Sequence, residues 1–472
     1  MRHGKIAVTV VPVVLVAVVG AGMSGLSCQK SPPPDVAKPA TAPVAAAAKP
    51  AGKGPIPWME DDFAGALARA KAEKKPVFVD AWAPWCHTCL SMRSYVFADP
   101  TLAASADRFV WAALDTEKDS SGDFLARYPL EVWPTFFIVD PEDGQVAGRW
   151  LGSMSLHQLR EFLTDGERNV QLAHAGQLKP DDPLALVRAG DKATVDGKPA
   201  EAAKLYAQAV TRAPADWPRR TEALVGEALA LRGAKDPGAC VDLVLAEMGH
   251  AGNGPNAGDF VTFGLDCADE LPKGDPRVDK IRHASVDLLL GLVADAKAPL
   301  AADDRGDIWR VIGETRAELG DAAGAREASE KRIALLDDAA AHAPDAQAAS
   351  TYDGARLETL LALGRGPDAV KILTQSEAAL PDDYNPPARL ARAHYELKEY
   401  GEALAAIDRA IAKAYGPRKG NLLGLKADIL DKQGRKDEAR KAVEDQIAVY
   451  QAAPQKRPAA IAAARKRLEA LK

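Results

Sequence analysis

The sequence predicts two folded regions of different class. Residues 58–168 read as a central mixed sheet with flanking helices, and residues 181–472 as an all-α array of helical hairpins. Three observations carry this. In the first region short apolar runs alternate with amphipathic stretches. A Cys-x-x-Cys, Cys86 to Cys89, follows one of those runs. In the second region five alanines read as equivalent, the last three of them 34 and 36 residues apart, and four of the five follow a glycine by five residues.

The chain has 472 residues, enough for about three domains. Its formal net charge of −6 argues against a nucleic-acid partner, which would need a basic face. Aromatic residues are only 6%, so much of the core must be built from Ala and Leu in closely packed helices. Five cysteines are too few for a disulfide scaffold.

Residues 1–28 have the layout of an export signal: basic Arg2 and Lys5, an apolar run over 6–23, then Ser24, Gly25 and Ser27 before Cys28. This resembles a bacterial lipoprotein signal, which implies that Cys28 is lipidated. An uncleaved anchor and simple secretion are the alternatives, since 18 apolar residues just span a bilayer. All three place the rest outside the cytoplasm, in the periplasmic part of the cell envelope if the signal is of the lipoprotein kind. Residues 29–57 read as a tether; 31–57 hold 8 Pro and 8 Ala, too little apolar bulk to fold.

In the first region, residues 60–75 carry Phe63, Leu67 and Ala70 on one helical face, and Pro76 stops that helix. Val77 to Trp82 is a nearly continuous apolar run, the pattern of a buried central strand. Cys86 to about Phe97 reads as a helix, Phe109 to Leu114 as a second strand, and 121–128 as a short helix. Thr135 to Val139 and Val146 to Leu151 read as strands hairpinned through the turn at 141–144. Ser155 caps a last helix with Leu156, Leu159 and Phe162.

Two residues between cysteines let the sulfurs close a ring within one helical turn. The first, Cys86, meets the free N–H groups of the helix start, which favour its thiolate. Cys86 is then the attacking thiol and Cys89 the resolving one. A zinc site would need four ligands, and Cys240 and Cys267 are not spaced as a second pair. His157, His174, His250, His283, His342 and His394 show no metal spacing, so no metal is expected. Cys240 and Cys267 could pair in an oxidising compartment; buried free thiols are the rival.

The segment Phe78-Val79-Asp80-Ala81-Trp82-Ala83-Pro84-Trp85-Cys86-His87-Thr88-Cys89 resembles the active site of thioredoxins. The resemblance implies a cis-proline at Pro134, in Trp133-Pro134-Thr135, lying beside the disulfide and holding the substrate. It implies that Asp80 is a buried carboxylate exchanging the proton of Cys89. Trp85 would shield the pair, and Trp133 would narrow the substrate groove. Within the superfamily the run Tyr95-Val96-Phe97-Ala98-Asp99-Pro100 and the later Asp115-Thr116 are most similar to the periplasmic C-terminal domain of the reductase DsbD and its relatives. That implies a protein-disulfide reductase without a dissociable cofactor, recharged by a membrane electron donor. His87 and Leu90 depart from the pattern. A charged His87 would make the couple more oxidising; the plain alternative is a solvent-exposed helix-start residue. An oxidase or isomerase, and a non-catalytic scaffold, remain the other readings.

In the second region Leu390, Ala391, His394, Tyr400, Ala403, Ile407 and Ala410 resemble the small and large positions of a tetratricopeptide repeat. Ala202, Ala325, Ala369, Ala403 and Ala439 read as equivalent second-helix alanines. Gly197, Gly320, Gly364 and Gly434 stand five residues before four of them, where the hairpin turn belongs. Pro214 and Pro381 close two units, and 216–300 is irregular. The implied role is to grip an unidentified protein partner. The basic final helix (Arg465, Lys466, Arg467, Lys472) reads as a solvated cap.

Overall fold

The computed structural model describes residues 54–454 and 457–471. The export signal with Cys28, nearly all of the tether and Lys472 lie outside the described residues. Among the described residues no helix is long and apolar enough to cross a membrane.

The first region opens with a two-residue strand, β1 (Met59–Glu60), followed by α1 (Phe63–Glu73), β2 (Val77–Trp82) and α2 (His87–Ser91). A π-helical turn, Met92–Val96, continues α2, and a 3-10 segment covers Pro100–Arg108. Next come β3 (Val110–Asp115), α3 (Gly122–Arg127), β4 (Thr135–Val139), β5 (Val146–Leu151) and α4 (Leu156–His174). The sheet order is β1-β3-β2-β4-β5. β2 runs parallel to β3 and antiparallel to β4, with Val79 opposite Ala112 on one side and Phe137 on the other. This is the thioredoxin-type α/β arrangement. β1 and the 3-10 segment were not legible in the pattern, and α4 runs six residues past position 168.

The side-chain alternation of a strand divides the core in two. Phe78, Trp111, Phe136 and Ile138 face α4 and the π turn. Val77, Val79, Ala81, Ala112 and Phe137 face α1 and α3. With both faces covered, β2 can be apolar almost throughout, and its one carboxylate, Asp80, is buried with its neighbours.

The array comprises α5 (Pro183–Val195), α6 (Pro199–Arg212), α7 (Arg220–Gly233), α8 (Pro237–Glu247), α9 (Pro255–Ala268) and α10 (Pro276–Ala294). It continues with α11 (Ala302–Glu318), α12 (Ala322–Ala341), the short α13 (Ala346–Ser350), α14 (Asp353–Ala362) and α15 (Gly366–Ala379). The last helices are α16 (Asn385–Glu396), α17 (Tyr400–Lys413), α18 (Gly416–Lys432), α19 (Lys436–Ala452) and α20 (Pro458–Ala470). Gly197, Gly320, Gly364 and Gly434 take φ of 73°, 83°, 73° and 74° in the hairpin turns, the left-handed region that glycine enters without penalty. Two further turns do the same with lysine: Lys235 at φ 60° and Lys398 at φ 62°. Five residues after Lys235 stands Cys240, fully buried, in the place that Ala202, Ala369, Ala403 and Ala439 hold elsewhere. The irregular stretch 216–300 thus contains the hairpin α7–α8, hidden because lysine replaced the glycine and cysteine the alanine.

Ala325 does not belong with these alanines. It is only partly buried, and Gly324 and Ala328 are the small residues that α12 turns inward. The register of α12 therefore departs from that of the other second helices.

The array packs directly on the sheet domain. α5 and α7 lie against β5, covering an edge strand that would otherwise present unpaired backbone groups. Leu151 of β5 joins the apolar core of the array. Close by, Tyr206 donates to Asp191 at 2.7 Å; burial raises the Asp191 carboxyl to about 7, although Arg149 of β5 pulls against it.

Candidate active site

The chain leaves β2 at Trp82, turns through Ala83–Trp85 and enters α2 with Cys86 as its N-cap. Cys86 and Cys89 are disulfide-bonded, with their Cα atoms 5.2 Å apart. The Cys89 backbone N–H donates to Cys86 Sγ at 3.1 Å. On reduction that amide and the helix start favour the Cys86 thiolate. The two sulfurs are not equivalent: Cys86 keeps 5% of its surface and Cys89 1%. Cys86 is the more exposed of the two.

Asp80 lies in β2, and neither carboxyl oxygen has a hydrogen-bond partner among the described residues. Burial pushes its carboxyl up to about 7; Arg93 works against this and Glu60 with it. A carboxyl at about 7 exchanges protons near neutral pH, which suits it to proton transfer. Arg93 is itself stacked over Trp82, 4.1 Å from the ring centre.

The Trp133–Pro134 peptide is cis. Thr135 ties that loop by donating to the Val132 carbonyl at 2.7 Å. Trp133 Nε1 donates to Thr116 Oγ1 at 2.9 Å, and that hydroxyl donates to the Trp82 carbonyl at 2.9 Å. The Trp85 and Trp133 rings lie 5.6 Å apart, and with the two cysteines and Ala83 they form one apolar cluster. Both indoles therefore line the mouth of the dithiol.

Two residues at this mouth, Asp307 and Arg418, come from the array. Trp85 Nε1 donates to Glu117 Oε1 at 2.8 Å, while Glu117 Oε2 accepts from the Arg418 backbone N–H at 2.5 Å. Glu117 thus caps the start of α18 and holds Trp85 with the same carboxylate. The Arg418 guanidinium stacks on Trp85 at 5.9 Å. His87 is not a free surface residue: its Nε2 lies 3.4 Å from Asp307 Oδ2 of α11. Burial works against the charge of Asp307. His87, Arg310 and Arg332 around it prevail and hold the carboxyl below the usual carboxylate range.

Among residues named from sequence, Asp80, Trp85, Cys86, His87, Cys89, Trp133, Pro134 and Thr135 thus lie on three adjoining segments of one domain. Cys28 is outside the described residues. Cys240 and Cys267 are far along the chain in α8 and α9, where they form a second disulfide with Cα atoms 6.2 Å apart. Glu117, Asp307 and Arg418 were missed. Nothing local marks them, because Asp307 and Arg418 reach the site across more than two hundred residues of chain.

A family model described as thioredoxin-like matches residues 58–141. The thiol:disulfide interchange protein DsbD of Vibrio vulnificus is 40% identical over 100 residues, which cover 21% of this chain and 17% of that protein. DsbD of Pseudoalteromonas atlantica is 29% identical over 90 residues, 19% of this chain and 15% of that protein. The chloroplastic thioredoxin Y1 of Arabidopsis thaliana is 31% identical over 91 residues, 19% of this chain and 49% of that protein. The chain thus spans less than a fifth of the length of these DsbD relatives. A solved tetratricopeptide repeat protein from Parabacteroides merdae is similar at 13% identity with a TM-score of 0.39, covering 61% of this chain and 98% of its own. The chain therefore carries a thioredoxin-like domain, similar to part of DsbD, followed by a long helical region.

Proposed function

We propose that this chain is an exported, membrane-tethered thiol–disulfide oxidoreductase that reduces disulfides. The single observation that carries the redox reading is the Cys86–Cys89 disulfide, set at a strand-to-helix junction beside the cis peptide at Pro134. The reaction begins with the reduced pair. The Cys86 thiolate attacks one sulfur of the substrate disulfide, that S–S bond breaks, and one substrate thiol leaves after taking a proton. Cys89 passes its proton to Asp80 and attacks Cys86 Sγ. The mixed disulfide breaks, the second substrate thiol leaves, and the Cys86–Cys89 bond forms. The substrate has gained two electrons and the dithiol has lost two. A membrane dithiol donor would restore the pair, and no dissociable cofactor takes part. Pro134 and Thr135 would hold the substrate backbone, with Trp85 and Trp133 bounding the groove. Lipidated Cys28 would supply the tether on the periplasmic side.

The position of Asp307 supports the reducing direction. A charged His87 alone would stabilise the Cys86 thiolate and make the couple oxidising. A carboxylate at 3.4 Å offsets that charge. The test has two parts. With dithiothreitol as reductant, the wild-type chain should turn over a disulfide-bonded peptide and Cys86→Ala should not; equal rates would leave the scaffold reading. A redox titration should give a potential near −270 mV, as in thioredoxin, and a value near −120 mV would make the chain an oxidase.

A further inference from the structure

The array touches the sheet domain at the very end where the dithiol opens. Two residues before Cys86, the Pro84 carbonyl accepts from Asn385 Nδ2 of α16 at 3.0 Å. Five residues after it, Ser91 donates to Asp303 Oδ1 of α11 at 2.6 Å. At the end of β5, just past the strand that pairs with Thr135, Ser153 donates to Asp304 Oδ1 at 2.6 Å. On the remaining flank α18 begins so close that a Cβ on Gly416 would stand 1.9 Å from the Glu117 carbonyl oxygen. These contacts fall at Pro84, Ser91, Ser153 and Glu117, and they come from three helices of the array, α11, α16 and α18. These three helices are thus engaged by the chain's own redox domain.

An open dithiol face would let a folded substrate seat about 800 Å² of its surface, the usual share of one partner in a stable interface. Here the ground around Cys86 is already built upon, and Cys86 itself keeps only 5% of its surface. We propose that the array is the outer wall of the dithiol's substrate groove, and that it admits small disulfides and extended peptide segments while excluding the surface of folded proteins. This rests on the redox reading only for its meaning. The wall itself is a statement about access to Cys86 Sγ.

Access is measurable without turnover. The reduced full-length chain is alkylated with N-ethylmaleimide and, in parallel, with a maleimide carried on a polyethylene glycol of about 5 kDa; adducts on Cys86 are mapped by mass spectrometry. Glutathione gives the rate ratio of the two reagents for an open thiol. At Cys86 the large reagent should be slowed at least about tenfold more than on glutathione, within the one to three decades over which access shifts association rates. An equal ratio overturns the proposal. Asn385→Ala combined with Asp303→Ala, checked for retained helicity, should bring the ratio back toward that of glutathione and leave the N-ethylmaleimide rate within about twofold. An unchanged ratio in that folded variant also overturns it. Peptide-disulfide turnover, run beside this, separates the two failures: turnover without size selection leaves an enzyme with no wall, and size selection without turnover leaves a wall around an inert pair.

Discussion

The two regions of this chain solve the packing problem with different residues. In the sheet domain Phe78 lies within ring contact of Trp58, Phe97, Trp111, Phe136 and Phe162. In the array Ala202, Ala228, Ala403, Ala410 and Ala439 are fully buried among aliphatic residues such as Leu224, Ile312 and Ile407. The gap between α4 and the sheet is filled by large rings, whereas helices about 8–10 Å apart take small side chains where they approach most closely. The disulfides differ in the same way. Cys86–Cys89 closes one helical turn at a groove. Cys240–Cys267 joins α8 to α9 where both sulfurs are fully buried. One bond is placed for exchange and the other for holding two helices together.

The contrast is broken most severely by exchanging the roles of the cysteines. Cys86→Ala should abolish peptide-disulfide turnover, by roughly 10³-fold or more, as removal of a nucleophile does. Cys240→Ala with Cys267→Ala should leave turnover per folded molecule intact. Loss of turnover in the second variant would mean that the buried bond also takes part in exchange.

Asp80 supplies the next effect. Its folded carboxyl is raised to about 7 from the ordinary 3.8, so the folded state holds that proton more tightly than the unfolded chain. The stability this gives is complete below about pH 4 and is lost as pH climbs through 7. Asp80→Asn removes the loss. Urea titrations should find variant and wild type alike at pH 4 and the variant more stable by about 4 kcal/mol at pH 8, from three units at 1.36 kcal/mol each. On the proposed mechanism the same variant should also turn over more slowly, for want of a proton acceptor for Cys89. Equal stability at both pH values would mean that Asp80 is solvated.

Removing the array's staple comes third. Its 27-residue separation predicts a loss of between about 3 and 4 kcal/mol by loop closure. The Cys86–Cys89 ring is so short that opening it should cost only about 2 kcal/mol. Unfolding midpoints of Cys240→Ala/Cys267→Ala and of Cys86→Ala/Cys89→Ala compare the two directly. A larger loss at the redox pair would mean that it, too, serves mainly to hold structure.

The sheet domain was legible because its signals are local. Val77 to Trp82 is apolar on both faces, the cysteines sit one helical turn apart, and Ser155 starts its helix with a side-chain cap. Each element follows from residues within ten positions of it. The strand at Met59–Glu60 was not legible, since two residues have no period. The array was legible where a glycine marked the turn or, as over 390–410, where the small and large positions themselves repeat. Lys235 with Cys240 hid the α7–α8 hairpin, and Ala325 suggested a register that α12 does not keep. The wall around Cys86 was not legible at all. Asn385, Asp303 and Gly416 look like ordinary repeat residues until the superhelix brings them to Pro84, Ser91 and Glu117.

The smallest effect tests the turns themselves. A left-handed backbone costs a residue with a side chain about 1–2 kcal/mol, and Lys398 bears this at φ 62° with a buried Ala403 five residues on. Lys398→Gly relieves the strain but gives the unfolded chain more freedom, worth about 0.4–1 kcal/mol in the other direction. The net expectation is a gain of about 0.5–1 kcal/mol. Gly364, at φ 73° in the hairpin before, should respond with the opposite sign: Gly364→Ala should lose about 1 kcal/mol. Both are read from urea midpoints. If both substitutions destabilise, the lysine side chain at 398 contributes something glycine cannot, and the two hairpins are not equivalent; if the signs are opposite, the same turn closes both, and lysine in place of glycine is only a masked form of one repeat.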